Sequence, residues 1–288
     1  MALSTLSADE QGILFVQLCN VLDPGIAVAL SSVSNELRAA TRAPLQQLQT
    51  GHEAAAALCL KLGHRNCKAL REAKVVRCWH NGLAAEELKL LGTLGSVLPA
   101  LERLWLHEPA AGPDGGRQLA EGLGAGELPA VIELQIFGTH VGDAGASALA
   151  TALGKGALPW LKGLQLNSAA VGDAGLVALA PALRRLPALE FLALDGNPFG
   201  DEGLAALVAP PPPAGAPPPT TGGLAKLKVL NLIGTQITDA GCATLAAALH
   251  SGALPTLEYL ELRGIHASAA AKAAVYAALA NLKGDKGG

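Results

Sequence analysis

From Leu98 onward, leucines recur in a fixed frame: Leu, often Pro, an aliphatic residue three positions on, an alternating Leu-x-Leu, a short turn, and an Ala/Leu-rich stretch. The frame opens at Leu98, Leu128, Leu158, Leu186, Leu224 and Leu254. Successive openings are 28 to 30 residues apart except between Leu186 and Leu224, where a Pro-rich tract from Pro210 to Pro219 intervenes. Removing about ten inserted residues restores the period, so one unit is repeated in phase.

Two periodicities alternate inside each unit. In Leu134-Gln135-Ile136 and Leu164-Gln165-Leu166 apolar and polar residues alternate, as a strand with one buried face requires. Ala146 to Leu153, Leu176 to Leu183 and Cys242 to Leu249 carry Leu at helical spacing among Ala, the strongest helix former. A degenerate earlier unit reads the same way, with Val75-Val76-Arg77-Cys78-Trp79 as strand and Glu86 to Leu94 as helix. Such a unit cannot bury its own apolar face, so units must stack, with parallel strands on one side and helices on the other. Because a helix is wider than a strand, the stack is expected to curve.

Composition narrows the class. Half the residues are hydrophobic, 16% are charged and 3% aromatic, and 53 Leu with 56 Ala supply an aliphatic core; collagen-like and disordered classes are excluded. No apolar run approaches the ~18 residues of a membrane span. The start carries Asp9 and Glu10 rather than basic residues, so no signal peptide is expected. Five cysteines (Cys19, Cys59, Cys67, Cys78, Cys242) form an odd set, which fits reduced thiols in the cytoplasm or nucleus. His52, Cys59, His64, Cys67, Cys78 and His80 match no zinc spacing, and no metal or cofactor is expected. Nucleophile-elbow, Walker and dinucleotide motifs are missing from the sequence, so interaction is the expectation rather than catalysis.

From about Ala73 to Leu282 the repeats resemble leucine-rich repeat proteins of the ribonuclease-inhibitor-like subfamily. The resemblance implies an α/β horseshoe with a parallel concave sheet and convex helices. The expected organisation is a helical module over 1–72, a solenoid of about seven repeats over 73–282 with a Pro-rich insertion at 209–221, and a flexible tail at 283–288. The Asn that the family places after the strand occurs only as Asn197; Thr139, Ala169 and Thr235 stand elsewhere.

Four tetrapeptides, Gly142-Asp143-Ala144-Gly145, Gly172-Asp173-Ala174-Gly175, Gly200-Asp201-Glu202-Gly203 and Thr238-Asp239-Ala240-Gly241, precede helical runs. Each carboxylate is expected to accept N–H groups in the first turn of the helix it introduces, with Asp114 and Ser268 in the same place in the first and last units.

Strand alternation puts three columns on the solvent side of the sheet. The first is Val75, Arg103, Glu133, Gly163, Phe191, Val229, Tyr259; the second is Arg77, Trp105, Gln135, Gln165, Ala193, Asn231, Glu261; the third is Trp79, His107, Phe137, Asn167, Asp195, Ile233, Arg263. Seven strands at ~4.8 Å spacing make a sheet about 29 Å across, wide enough for a protein or peptide. Of nine aromatics, five fall in these columns. Arg77, Trp79, Arg103, Trp105, His107, Gln135, Phe137, Gln165 and Asn167 are therefore the expected partner-binding residues, rich in the Trp and Arg of interface hot spots. Mutual shielding of the aromatics is the competing explanation.

The first seventy residues depart from the repeat. Ser7-Ala8-Asp9-Glu10 is a capping box before an apolar helix from Gln11 to Leu22, which Asp23-Pro24 ends. A second helix is expected from about Gly25 to Thr41, with Ile26, Leu30, Val33 and Leu37 on one face. Leu14, Leu18, Leu22, Pro24, Leu30, Val33 and Leu37 resemble an F-box, which implies docking to the adaptor of a cullin-type ubiquitin ligase. The opening Leu-Pro of that motif is replaced by Glu10-Gln11 and its late Trp by Leu37. Lys61, Arg65 and Lys68 are spaced to share a solvated helical face.

The chain is thus expected to be an intracellular interaction scaffold, monomeric alone, binding a protein or peptide on the concave face. It is either a substrate receptor docked to a ligase adaptor or a scaffold or GTPase regulator whose N-terminal helices only cap the solenoid. Neither membrane nor nucleic acid is expected as a partner.

Overall fold

The computed structural model describes residues 15, 20–33, 35–125, 128–208 and 224–284. The Pro-rich insertion, residues 285–288, and Leu14 and Leu18 with most of the first expected helix lie outside the described residues, as does the side chain of Leu37. The chain divides into two compact units, Met1–Ala73 with Val97–Ala100, and Lys74–Ser96 with Leu101–Gly288.

The first unit is helical: α1 (Gly25–Ser31), α2 (Asn35–Lys61) and α3 (Cys67–Arg71). Phe15, Ala27 and Leu48 form a small core, with Val21, Leu30 and Leu45 packed against it. The single helix expected over Gly25 to Thr41 is two. The Ser32 hydroxyl turns back on the Ala29 carbonyl at 2.7 Å, offering the backbone an alternative to helix, and a new helix starts at Asn35. Of the face predicted from 3.6-residue spacing, Leu30 packs against this core and Ile26 and Val33 do not. Ala27 and Ser31 point inward, while Ile26 and Val33 are 61% and 70% exposed. Likewise Lys61 ends α2 and Arg65 lies in the turn before α3, so Lys61, Arg65 and Lys68 share no helix. Asn66 caps α3 by accepting the Ala69 N–H at 2.9 Å.

The second unit alternates strands and helices: β1 (Val75–Trp79), α4 (Ala85–Thr93), β2 (Arg103–His107), α5 (Gly115–Ala125), β3 (Glu133–Phe137), α6 (Gly142–Gly154), β4 (Gly163–Asn167), α7 (Asp173–Leu183), β5 (Phe191–Ala193), α8 (Asp201–Leu207), β6 (Val229–Asn231), α9 (Asp239–His250), β7 (Tyr259–Glu261) and α10 (Ala269–Gly284). The strands form one parallel sheet in chain order. Inward strand residues such as Val76, Cys78, Leu104, Leu106, Leu164 and Leu166 are buried together with Leu88, Leu119, Leu149, Leu179 and Leu245 from the helices. Each buried Leu of this kind is worth about 1.5–3 kcal/mol relative to exposure, so layered aliphatic burial is what holds the array together.

The Asp-x-Gly turns do a different job from the expected one. Asp143 accepts the N–H of Gly172 at 2.7 Å, Asp173 those of Gly200 and Gly203 at 2.8 and 2.7 Å, Asp201 that of Thr238 at 2.9 Å, and Asp239 that of Ser268 at 2.6 Å. Each carboxylate therefore caps the helix of the following unit, not its own. The glycine two residues after the Asp follows from this. A Cβ at Gly175, Gly203 or Gly241 would stand 2.5, 2.9 or 2.2 Å from the carboxylate oxygen of the preceding unit. Caps within the same helix come from Thr238 and Ser268, whose hydroxyls accept the N–H groups of Ala240 and Ala271. Asp114 instead pairs with Arg117 at 3.0 Å.

Between strand and helix, Asn197 holds the turns of two units, accepting from Ala169 and Val171 and donating to the Leu166 and Leu194 carbonyls. One unit earlier in the stack than Thr139, a carboxylate does comparable work between neighbours. Glu108 is 0% exposed and accepts the N–H groups of Asn81, Gly82 and Leu83 at 2.7, 3.1 and 3.2 Å, while its own N–H donates to the Thr139 hydroxyl.

Candidate protein-binding face

The face of the sheet opposite the buried leucines carries the expected columns. Parallel pairing sets Val75 beside Arg103, Glu133, Gly163, Phe191, Val229 and Tyr259 in turn, and Arg77 beside Trp105, Gln135, Gln165, Ala193, Asn231 and Glu261. Trp79 pairs with His107, and Phe137 with Asn167. The sequence-predicted partner residues thus share one open surface.

Its β1–β3 end is an aromatic and cationic cluster. The His107 ring lies between Trp79 and Phe137, with centroids at 5.5 and 4.9 Å, and meets His80 edge-on at 4.4 Å. Two backbone features allow this. His80 adopts a left-handed conformation (φ 55), which His tolerates better than most residues. Gly138 leaves space where a Cβ would stand 2.8 Å from the His107 ring. His107 Nδ1 sits 2.7 Å from the Phe137 carbonyl oxygen, which can only accept, so Nδ1 carries the proton and Nε2 is the free position of the neutral ring. His80 was not among the expected partner residues; its signal was the turn position directly after Trp79.

Arg77 stacks over Trp105, its guanidinium carbon 4.5 Å from the ring centroid. The Trp105 indole nitrogen is buried without a hydrogen-bond partner. Arg103 pairs with Glu133 at 3.7 Å, and Gln165 donates to the same carboxylate at 3.5 Å. Between Glu133 and Phe191 the first column has only Gly163, which opens a hollow of about 460 Å³ lined also by Arg103, Lys162, Gln165 and Glu190. Trp79 and Phe137 remain 50% and 38% exposed, so stacking against His107 shields them only in part.

The β5–β7 end is acidic. Asp195 accepts the Ile233 N–H at 3.0 Å. Burial pushes its carboxyl above the usual range and the Glu261 charge adds to this, against the Ile233 hydrogen bond and Arg263. Burial also raises Glu261, but donation from Tyr259 and Arg263 outweighs it and leaves that carboxyl below the usual range. Along the strand entrances, Lys74 pairs with Glu102 at 2.9 Å and Lys228 with Glu190 at 2.8 Å, holding both carboxyls low.

Among the described residues no group of three or more His, Cys, Asp or Glu side chains is arranged to hold a metal ion. Cys59 and Cys67 lie 3.5 Å apart, sulfur to sulfur, and burial, with the neighbouring Cys67 thiol, pushes Cys59 up to about 12. Burial likewise raises the Cys78 thiol, which disfavours the reactive thiolate at Cys59 and Cys78. No described helix is long and apolar enough to cross a membrane.

A sheet of in-phase parallel strands, each followed by a helix and paired by aliphatic layers, defines a repeat solenoid. The leucine-rich repeat family model matches residues 131–150, 157–180, 186–208 and 223–246, so these segments are leucine-rich repeats. A solved structure of Leiomodin-1 Actin-Binding Site 2 is similar at 15% identity, covering 69% of this chain and 90% of that one with a TM-score of 0.41. A search of curated proteins gives no match.

Proposed function

We propose that the protein is a non-enzymatic interaction scaffold that binds a protein partner on the open face of its sheet, centred on Arg77, Trp79, Arg103, Trp105, His107, Gln135, Phe137, Gln165 and Asn167. The observation that carries this is placement. In a chain with nine aromatics and a core of leucine, Trp79 and Phe137 stand on the solvent side, beside a stacked Arg–Trp pair. Large apolar rings left at a surface among arginines are characteristic of interface anchors. Comparing proteins retained by the wild type and by the Trp79→Ala/Trp105→Ala double variant tests it. Specific proteins should be lost from the variant while its thermal unfolding stays near wild type. Identical retention would remove the open face from consideration.

The N-terminal unit supports a second contact. Ile26, Val28, Val33 and Leu60 are large apolar residues left exposed there, and the resemblance of this segment to an F-box makes a ligase adaptor the partner to test. Co-purification of the adaptor with the full chain, abolished by Ile26→Asp/Val33→Asp, would support a receptor role. Failure to co-purify leaves the scaffold alone.

A further inference from the structure

Polar groups across the open face sort by kind. On β1 and β2 two donors lack acceptors, although Arg103 and His107 have theirs: Arg77 forms no ion pair among the described residues, and the indole N–H of Trp105 is buried without a partner. From β4 to β6 the reverse holds. The side-chain oxygens of Asn167 and Asn231 are buried without donors, and the Asp195 carboxylate, in the column beside Asn167, accepts the Ile233 N–H and has no cation paired to it among the described residues. Arg263, the cation on that side of the face, is held by Glu261 at 3.0 Å. The exposed Arg77 guanidinium and the part-exposed Asp195 carboxylate thus leave opposite charge at the two ends of the face, each able to meet a partner group of the other sign.

Building on the open-face reading, we propose that the partner presents an extended peptide segment laid across the strands, with an acidic side chain docked at Arg77 and Trp105 and a basic side chain docked among Asn167, Asp195 and Asn231. Three to four strand spacings of about 4.8 Å separate the two subsites, a span of roughly 14–19 Å that four to six extended residues cover. Between them, exposed Phe137 and the Gly163 hollow take apolar side chains of the same segment. A polyphosphate is disfavoured although Trp, His and Arg could stack on bases. Glu133, Asp195 and Glu261 share the face, and the formal net charge is -3, so attraction at one end is opposed at the other.

The test uses the full chain and labelled synthetic nonapeptides followed by fluorescence anisotropy. One peptide carries two Glu at one end, apolar residues including Phe in the middle and two Arg at the other end. Three analogues replace Glu, Arg or both by Gln, and a uridine oligonucleotide is run in parallel. The graded peptide should bind at least about tenfold more tightly than the doubly neutral one. Arg77→Gln should weaken only peptides that retain Glu, and Asp195→Asn only those that retain Arg, a pairing that general loss of structure cannot imitate. Equal binding of all four peptides, no binding, tighter binding of the oligonucleotide, or variants that weaken every peptide alike would each overturn the proposal. If the neutral peptide binds as well as the graded one and is lost with Trp79→Ala, the open-face reading stands and the charge pairing falls. If the graded peptide binds but ignores Trp79→Ala, Arg77→Gln and Asp195→Asn, both fall.

Discussion

Asp173 Oδ1 accepts the backbone N–H of Gly203, thirty residues further along the chain, at 2.7 Å, and that of Gly200 at 2.8 Å. One carboxylate thus completes the first turn of the next unit's helix. Asp173→Ala should lower the free energy of unfolding by about 1–2 kcal/mol in urea titrations, the range for losing a helix cap. Asp143→Ala, which releases only the Gly172 N–H, should cost less. Equal losses would mean that the number of bonds held across units is irrelevant.

Gly241 reports the same geometry sterically. Its missing Cβ would stand 2.2 Å from Asp201 Oδ1. Gly241→Ala should destabilise by about 2 kcal/mol despite the better helix propensity of Ala, as overpacking does. In an Asp201→Gly background the same substitution should cost clearly less, the Ile237 methyl at 2.8 Å being the contact that remains. A cycle showing simple additivity would place the clash elsewhere.

Glu108→Ala removes an acceptor from three backbone N–H groups at a fully buried position. A loss of about 3 kcal/mol is expected, with hydrogen exchange accelerated first at Asn81, Gly82 and Leu83. Exchange that quickens evenly over the whole sheet would argue against this local role.

Two carboxylates should shift stability with pH in opposite directions. Asp195 has a folded-state pKa raised by burial, so the unfolded chain ionises first and stability falls as pH rises from about 4 through the folded value. Asp195→Asn should therefore stabilise the fold at pH 7 and not at pH 3, even as it weakens the basic-peptide subsite. Asp239 is held low by the backbone and side chain of Ser268, so its contribution is present above its ordinary pKa and lost as pH falls through the depressed one. Asp239→Asn should destabilise at pH 7 and much less at low pH. Melting temperatures of both variants across pH 3–8 check the signs.

The columns of the open face were legible because alternation along a strand is fixed by the backbone, and in-phase repeats carry the register from one strand to the next. Trp105 beside Gln135 and Gln135 beside Gln165 follow from those two rules alone. What the Asp residues cap was not legible, since helix-end patterns describe a segment and say nothing of a neighbour thirty residues away. The recurring glycine was the available signal: Gly inside an Ala/Leu helix costs about 1 kcal/mol, so its repetition at Gly175, Gly203 and Gly241 marks space taken by something else. Glu108 was hidden because an acidic residue is rarely read as interior. In the N-terminal unit, spacing put Ile26 and Val33 on one buried face with Leu30, but the helix ends at Ser31 and, of these three, Leu30 is the one that packs on the core.

Capping handed forward from one unit to its successor by Asp143, Asp173, Asp201 and Asp239 gives the array a direction. Trimming the protein from its C-terminal side leaves a carboxylate facing water, a state that water satisfies at little loss. Removing units from the N-terminal side instead strips a charged cap from the first helix that survives. Nested deletions of equal size should therefore leave better-folded remnants when made from the C-terminal side.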